Sequence, residues 1–193
     1  MVLKVKIARP ALYQVLAGCV AGALTVGAIG VIARPDFSVS HVHSQRAFDY
    51  SDERKLAGWA DNVFIGRVTA KTGQTTYGTT DIPVTLWSVD VSESLKGTFT
   101  GTVTVAQRGG YNSLTNTLKV FEEDTLLSVG QEYLFATRVN SAGLNVSTPK
   151  YGDVPLSGEA NSVGETNSRV AVHERWKKAI ANQVPRDQLI PKN

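Results

Sequence analysis

Few side chains in this sequence could act as catalysts or ligands, and they are scattered. The histidines are His41, His43 and His173, and the single cysteine is Cys19. His41 and His43 flank Val42, so an extended backbone puts both imidazoles on one side, half of a metal site. A structural site needs about four ligands, and only one further histidine exists, so solvated linker histidines are expected. His173 lies between Val172 and Glu174 with no serine or cysteine motif beside it, so the local sequence shows no nucleophile, base and orienter set. Gly109-Gly110 could cradle a phosphate, but the phosphate-loop lysine and a following helix start are missing; a turn is expected there. Glu122-Glu123-Asp124 could help hold Ca²⁺, yet the spacing is not that of a Ca²⁺ loop, and a solvated turn is expected. No catalytic, cofactor or metal site is assigned.

The charge distribution narrows the partners. The chain has 193 residues and a formal net charge of +3. Residues 1–34 hold Lys4, Lys6, Arg9 and Arg34, four of the 20 basic residues, and none of the 17 acidic ones. The remainder therefore carries 16 basic against 17 acidic residues, a net of −1. A nucleic-acid binder concentrates Lys and Arg in its folded part, so nucleic acid is not an expected partner. With no cysteine after Cys19, the folded part must be held by core burial instead of disulfides.

The N-terminal segment reads as a membrane element. Ala11 to Ala33 is uncharged, 23 residues interrupted only by Gln14 and Thr25 among polar types. As a helix it spans about 35 Å, enough to cross a hydrocarbon core with some tilt. Three basic residues before it and one after it favour a cytoplasmic N-terminus and export of the rest. Three readings stay open. It is a single-pass signal anchor, or a signal peptide cleaved after Val31-Ile32-Ala33, or a lipoprotein signal in which Leu16-Ala17-Gly18-Cys19 makes Cys19 the candidate lipidation site. The apolar run before Cys19 is short, and it continues past the cysteine, which weighs against the third. Gly18 and Gly22 make a GxxxG spacing, repeated as small residues at Ala23 and Gly27, so helix pairing in the membrane is conceivable.

The elements downstream read mainly as strands. Residues 35–48 form a polar linker. Ser51 can cap a helix carrying Asp52 and Glu53 in its first turn, with Leu56, Trp59, Ala60 and Val63 as its apolar stripe; Trp59 is a core residue on this reading. Val63, Phe64 and Ile65 are a continuous apolar run, buried on both faces, after which Val68 and Ala70 alternate with Arg67, Thr69 and Lys71. Gly66 at the changeover supplies a bulge or bend, as the first strand of a small coiled barrel requires. Thr72 to Pro83 is a loop. Further strands are Val84–Ser92, with Thr85, Trp87, Val89 and Val91 on one face, then Thr102–Gln107, Glu132–Val139 and a short Leu144–Ser147. Tyr133, Phe135 and Val139 share a face of the fourth. Asn145-Val146-Ser147 matches the N-glycosylation sequon. Residues 151–167 are an irregular connection, 168–184 a C-terminal amphipathic helix with Val172, Trp176, Ala179, Ile180 and Gln183 on one face, and 185–193 a loose tail.

The order of landmarks carries a resemblance. Ala60-Asp61-x-Val63-Phe64-x-Gly66-x-Val68, Val89-x-Val91-x-x-x-Leu95-Lys96-Gly97, Val103-x-Val105-x-x-x-Gly109-Gly110 and Val129-Gly130-x-Glu132-Tyr133-Leu134-Phe135 follow one another. This series resembles exported bacterial domains of the netrin-like, tissue-inhibitor-of-metalloproteinase (TIMP-like) type. The resemblance covers about residues 50–150. It implies a five-stranded OB-like barrel, so the expected fold is mainly β with flanking helices, preceded by an N-terminal transmembrane helix or signal segment. The inhibitors chelate protease zinc through an N-terminal cysteine held by disulfides, and this chain has no cysteine after Cys19, so that mechanism does not transfer. The expected function is therefore a membrane-tethered or secreted extracytoplasmic binding module without catalytic activity. Its partners would be the membrane, through Ala11–Ala33, and an unidentified protein or cell-envelope component. Alternatives are an exported protease inhibitor of non-cysteine type and, behind it, an exported hydrolase.

Overall fold

The computed structural model describes residues 37–43, 47–76, 82–121, 124–157 and 167–190. The chain divides into residues 1–35 and a compact unit spanning 36–193, and every described residue belongs to the second. Ala11–Ala33, Cys19 and the anchor, cleavage and lipidation readings lie outside the described residues. Among the described residues, no helix is long and apolar enough to cross a membrane.

The protein is mainly β. In chain order the elements are β1 (Ser38–Val42), α1 (Glu53–Trp59), β2 (Asn62–Thr76), β3 (Pro83–Lys96), β4 (Gly101–Asn112), β5 (Thr117–Phe121), β6 (Glu132–Val139), β7 (Asn145–Ser147), β8 (Asp153–Pro155), α2 (Arg169–Ala181) and α3 (Arg186–Leu189). Five strands close a barrel in the order β2-β3-β4-β7-β6 and back to β2. The β4–β7 contact is parallel and the other four are antiparallel. This connectivity is compatible with an OB-like barrel. β5 and β1 extend the sheet beyond the far end of β4, and β8 adds to the outer edge of β6.

β2 organises the barrel. Its residues 62–67 pair with β6, and residues 63–76 pair with β3. The register between β2 and β3 slips four times; each slip adds a residue to one strand and tightens the coil. Val63, Ile65, Leu134 and Ala136 point outward under the helices and pack with Leu56, Leu156, Val172 and Trp176. Phe64, Val68, Trp87, Val89, Val105, Tyr133 and Phe135 point inward and fill the barrel, with Phe64 and Phe135 stacked at 5.2 Å. The continuous apolar run of β2 therefore has two cores to serve. Gly66 sits where the strand passes closest to β3. A Cβ there would lie 2.6 Å from Val89 Cγ1 and 2.9 Å from the Asp90 carbonyl oxygen. Its role is close approach, since no positive φ is involved.

Several expectations need correction. Asp52, not Ser51, caps α1: its side chain accepts from the Arg54 N–H, while the Ser51 N–H and hydroxyl both donate to Asp49. The sequence stretch 72–83 is strand as far as Thr76, because its polar residues lie on exposed ribbon paired with β3. Gly109-Gly110 is not a turn. Both have positive φ, +119° and +151°, yet they stay inside β4 and pair with Val120 and Lys119 of β5. The "linker" contains β1, parallel to β5, and the irregular connection contains β8. Residues 186–189 form α3 with Leu189 buried, so this part of the tail is docked.

The docking is polar. Lys96 Nζ donates to the carbonyl oxygens of Ala57 (2.7 Å) and Ala60 (2.8 Å) and to Gln183 Oε1 (2.9 Å). It thereby satisfies carbonyls that the last turn of α1 leaves open. Arg186 donates to the Trp59 carbonyl and pairs with Asp61, and the Val184 N–H donates to the Arg54 carbonyl at 3.1 Å. α2 is capped by Ser168, which accepts from the Ala171 N–H, and buries Val172, Trp176 and Ala179.

Gly66→Ala should cost about 2–3 kcal/mol through overpacking against β3. Gly143→Ala, at φ +75° with nothing within 4 Å, should cost only about 1 kcal/mol from backbone strain. Urea denaturation of the two variants checks this, and equal losses would show that the Gly66 approach is not a close one.

Candidate functional site

Among the described residues, two concavities stand out on the surface. One, about 550 Å³, is a broad depression between α1 and α2 lined by Asp52, Glu53, Arg54, Arg175 and Lys178. Its charges are largely spent on one another: Arg54 pairs with Asp52 at 2.9 Å and Arg175 with Glu53 at 2.6 Å.

The second is a deeper cavity of about 410 Å³ at one end of the barrel. Three parts of the chain build it. The approach to α1 and its last residue give Tyr50 and Trp59, the end of β6 and the following hairpin give Arg138 to Ser141, and Val146 to Pro149 leave β7 along its side. The other lining residue is Arg108 of β4, and the way it gets there is local. β3 pairs Val84 with Gly109 and Thr85 with Gln107, so Arg108 is the extra residue of a bulge. A bulge re-aims a side chain. Gly109 and Gly110, with their positive φ, follow the bulge directly, and the Gly109 carbonyl is pinned by the Thr85 hydroxyl at 2.7 Å. A Cβ on Gly110 would meet Gln74 Oε1 and Thr85 Oγ1, each at 2.7 Å. The tandem glycines thus serve the bulge.

Trp59 is half-buried. The Arg138 guanidinium lies 4.1 Å from the centroid of its ring and that of Arg186 5.5 Å, while Phe48 meets the ring edge-on at 5.6 Å. The indole is therefore both a packing residue and the bed on which Arg138 rests. Asp61 is a carboxylate that feels the Arg138 charge. Burial pushes its pKa up, but hydrogen bonds from Arg186 and the Val139 N–H outweigh this and hold it below the usual range.

Beside the cavity is a buried polar cluster that sequence reasoning missed. The Gln107 amide donates to Asp153 Oδ2 (3.1 Å), the Thr125 carbonyl (2.8 Å) and Asp124 Oδ2 (3.4 Å), and its oxygen accepts from the Leu127 N–H (3.0 Å). Burial, and then the neighbouring Asp124, push the Asp153 carboxyl well above the ordinary carboxylate range; burial raises Asp124 as well. Ser147, which lines the cavity, sits beside Asp153. Asp124 is thus drawn inward instead of lying on a solvated turn, while Glu122 and Glu123 lie outside the described residues. The only sequence signal was a Gln at an inward strand position.

The other singled-out residues fall elsewhere. His41 and His43 lie on and just after β1, at the sheet edge, and His173 is on α2. Both nitrogens of His173 face carboxylates, Nε2 to Glu93 at 2.7 Å and Nδ1 to Glu174 at 3.1 Å. The nearby Ser92 hydroxyl is directed at the Ile65 carbonyl and Glu132, 3.3 Å each. Among the described residues no three His, Cys, Asp or Glu side chains gather as a metal would need. Asn145 of the sequon is buried, accepting from Asn62 and donating to the Thr104 carbonyl, both at 3.4 Å. No known protein-family model matches the sequence, and no curated protein matches it significantly.

The cluster predicts a pH dependence. A carboxyl whose folded pKa is raised stabilises the fold at pH below its unfolded value, near 4, and that contribution is lost as pH rises toward the folded pKa. Asp153→Asn should keep the bond from Gln107, raise the urea midpoint at pH 7 and flatten the decline in stability above about pH 4. Urea melts of both proteins between pH 4 and 8 check this. A wild-type profile that rises over that interval would contradict it.

Proposed function

We propose that this protein is an extracytoplasmic binding module with no chemistry of its own, built on an OB-like barrel and delivered to a membrane by residues 11–33. The observation that carries the reading is how the reactive side chains are used. His173 is held between two carboxylates, Asp124 and Asp153 are tied to Gln107, and Lys96 is spent on the carbonyls of α1. What remains concave and accessible is the barrel-end cavity, which has arginines and aromatics in its lining but no nucleophile–base pair. The uncharged 23-residue run with basic residues on its N-terminal side supports export of the barrel. The resemblance of the residues 60–68, 89–97, 103–110 and 129–135 to TIMP-like domains supports the OB-like reading. Their places in the fold agree with a structural role: Lys96 caps α1, Gly66 permits close strand approach, and Gly109 and Gly110 follow a bulge.

Fusion of alkaline phosphatase or a fluorescent protein to the C-terminus of the full chain tests the location. The phosphatase fusion should be active and the fluorescent one dark, with the product in the membrane fraction. Fluorescence without phosphatase activity would refute the export of the barrel.

A further inference from the structure

We infer that the barrel-end cavity is a recognition site for a small organic oxyanion, a carboxylate or phosphomonoester, with Arg138 as its principal contact. This rests on the domain being a binding module, but not on which side of a membrane it stands.

Arg138 carries the argument. Its guanidinium carbon lies over the Trp59 ring, 4.1 Å from the centroid. The cation–π contact holds the head group beside the cavity, and an arginine fork can donate to two oxygens of a planar or tetrahedral anion. Part of the entropy of ordering a long side chain is thus lost before any ligand arrives. No carboxylate among the described residues pairs with Arg138; Asp61, which feels its charge, is taken by Arg186 and the Val139 N–H. The cavity lining contains no Asp or Glu.

The second support is Arg108. The β4 bulge delivers it to the same cavity, so two strands on different sides of β7 each contribute a guanidinium. Tyr50, Ser141 and Thr148 add hydroxyls to the lining, while Val146 and Pro149 add apolar wall. A volume of about 410 Å³ falls in the range of small-molecule sites and exceeds what a bare inorganic ion fills. The ligand chemistry is therefore an anionic head with a short organic body. Affinity should fall with salt, because one wall is open to solvent.

Isothermal titration calorimetry of the full chain in neutral detergent micelles at low ionic strength tests the site. The probes are succinate for the carboxylate source and glycerol 3-phosphate for the phosphate source, with glycerol and succinamide as uncharged controls. At least one anionic probe should bind saturably and its control should not. Arg138→Gln should weaken that binding at least about tenfold, with Arg138→Lys intermediate because it keeps the charge and loses the fork. Arg108→Gln, which leaves the Trp59 contact in place, gives an independent reading should Arg138→Gln fold poorly, and it should also weaken binding. The inference is overturned if neither anion binds below about 10 mM, if the uncharged controls bind equally, or if binding survives both substitutions unchanged. A failure here leaves the reporter-fusion result standing, and the converse also holds.

Discussion

The barrel depends on one strand being shared. β2 must bond to β6 along its first six residues and to β3 from Val63 onward, while its side chains serve a core on each face. A flat strand cannot do this; four register slips against β3 supply the coil, and Gly66 lets the two backbones come together where Val89 would otherwise collide with a side chain. Once β2 is curled, β6 on one side and β3–β4 on the other are brought round until β7 bridges them, and the sheet has no free edge at that point.

The polar side chains then sort by what closure does to them. Those trapped at element ends become fasteners. Lys96 reaches from the end of β3 to the open carbonyls of α1, and Arg186 ties α3 to Trp59 and Asp61. Those caught between β4, β8 and the loop at 124–127 become a buried network, in which the carboxyls of Asp124 and Asp153 are pushed towards the neutral form because charge is expensive out of water. Arg138 and Arg108 differ from both groups. Both line a concavity whose lining contains no Asp or Glu, and Arg138 lies over an indole. Lys96 and Arg186 are thus used by the fold, while Arg138 lies beside open space with no carboxylate partner among the described residues.

Strand positions were well marked wherever alternation ran over several residues. Glu132–Val139 coincides with β6, and the inward set Trp87, Val89 and Phe135 is found in the barrel. Polar strands were not marked. Thr72–Thr76 and Ser38–Val42 pair through their backbones and bury little, so they leave almost no hydrophobic pattern to read. Gly109-Gly110 carried the composition of a turn, and only the partner strand β5 shows that the chain runs on. The cavity was illegible for a similar reason: Trp59, Arg108, Arg138 and Ser147 are far apart in sequence, each with an ordinary explanation by itself.

By itself the sequence determined a mainly β core buried without disulfides, because Cys19 precedes it, and a near-neutral remainder after a basic, largely apolar stretch at residues 1–34. Hydrophobic period and charge are local properties, and each residue declares them without reference to any other. Tertiary structure decided barrel closure, the inward turn of Asp124, the docking of α3 and the meeting of Arg108 with Arg138. Those outcomes depend on pairings between distant strands, and a pairing energy exists only once both partners have been brought together.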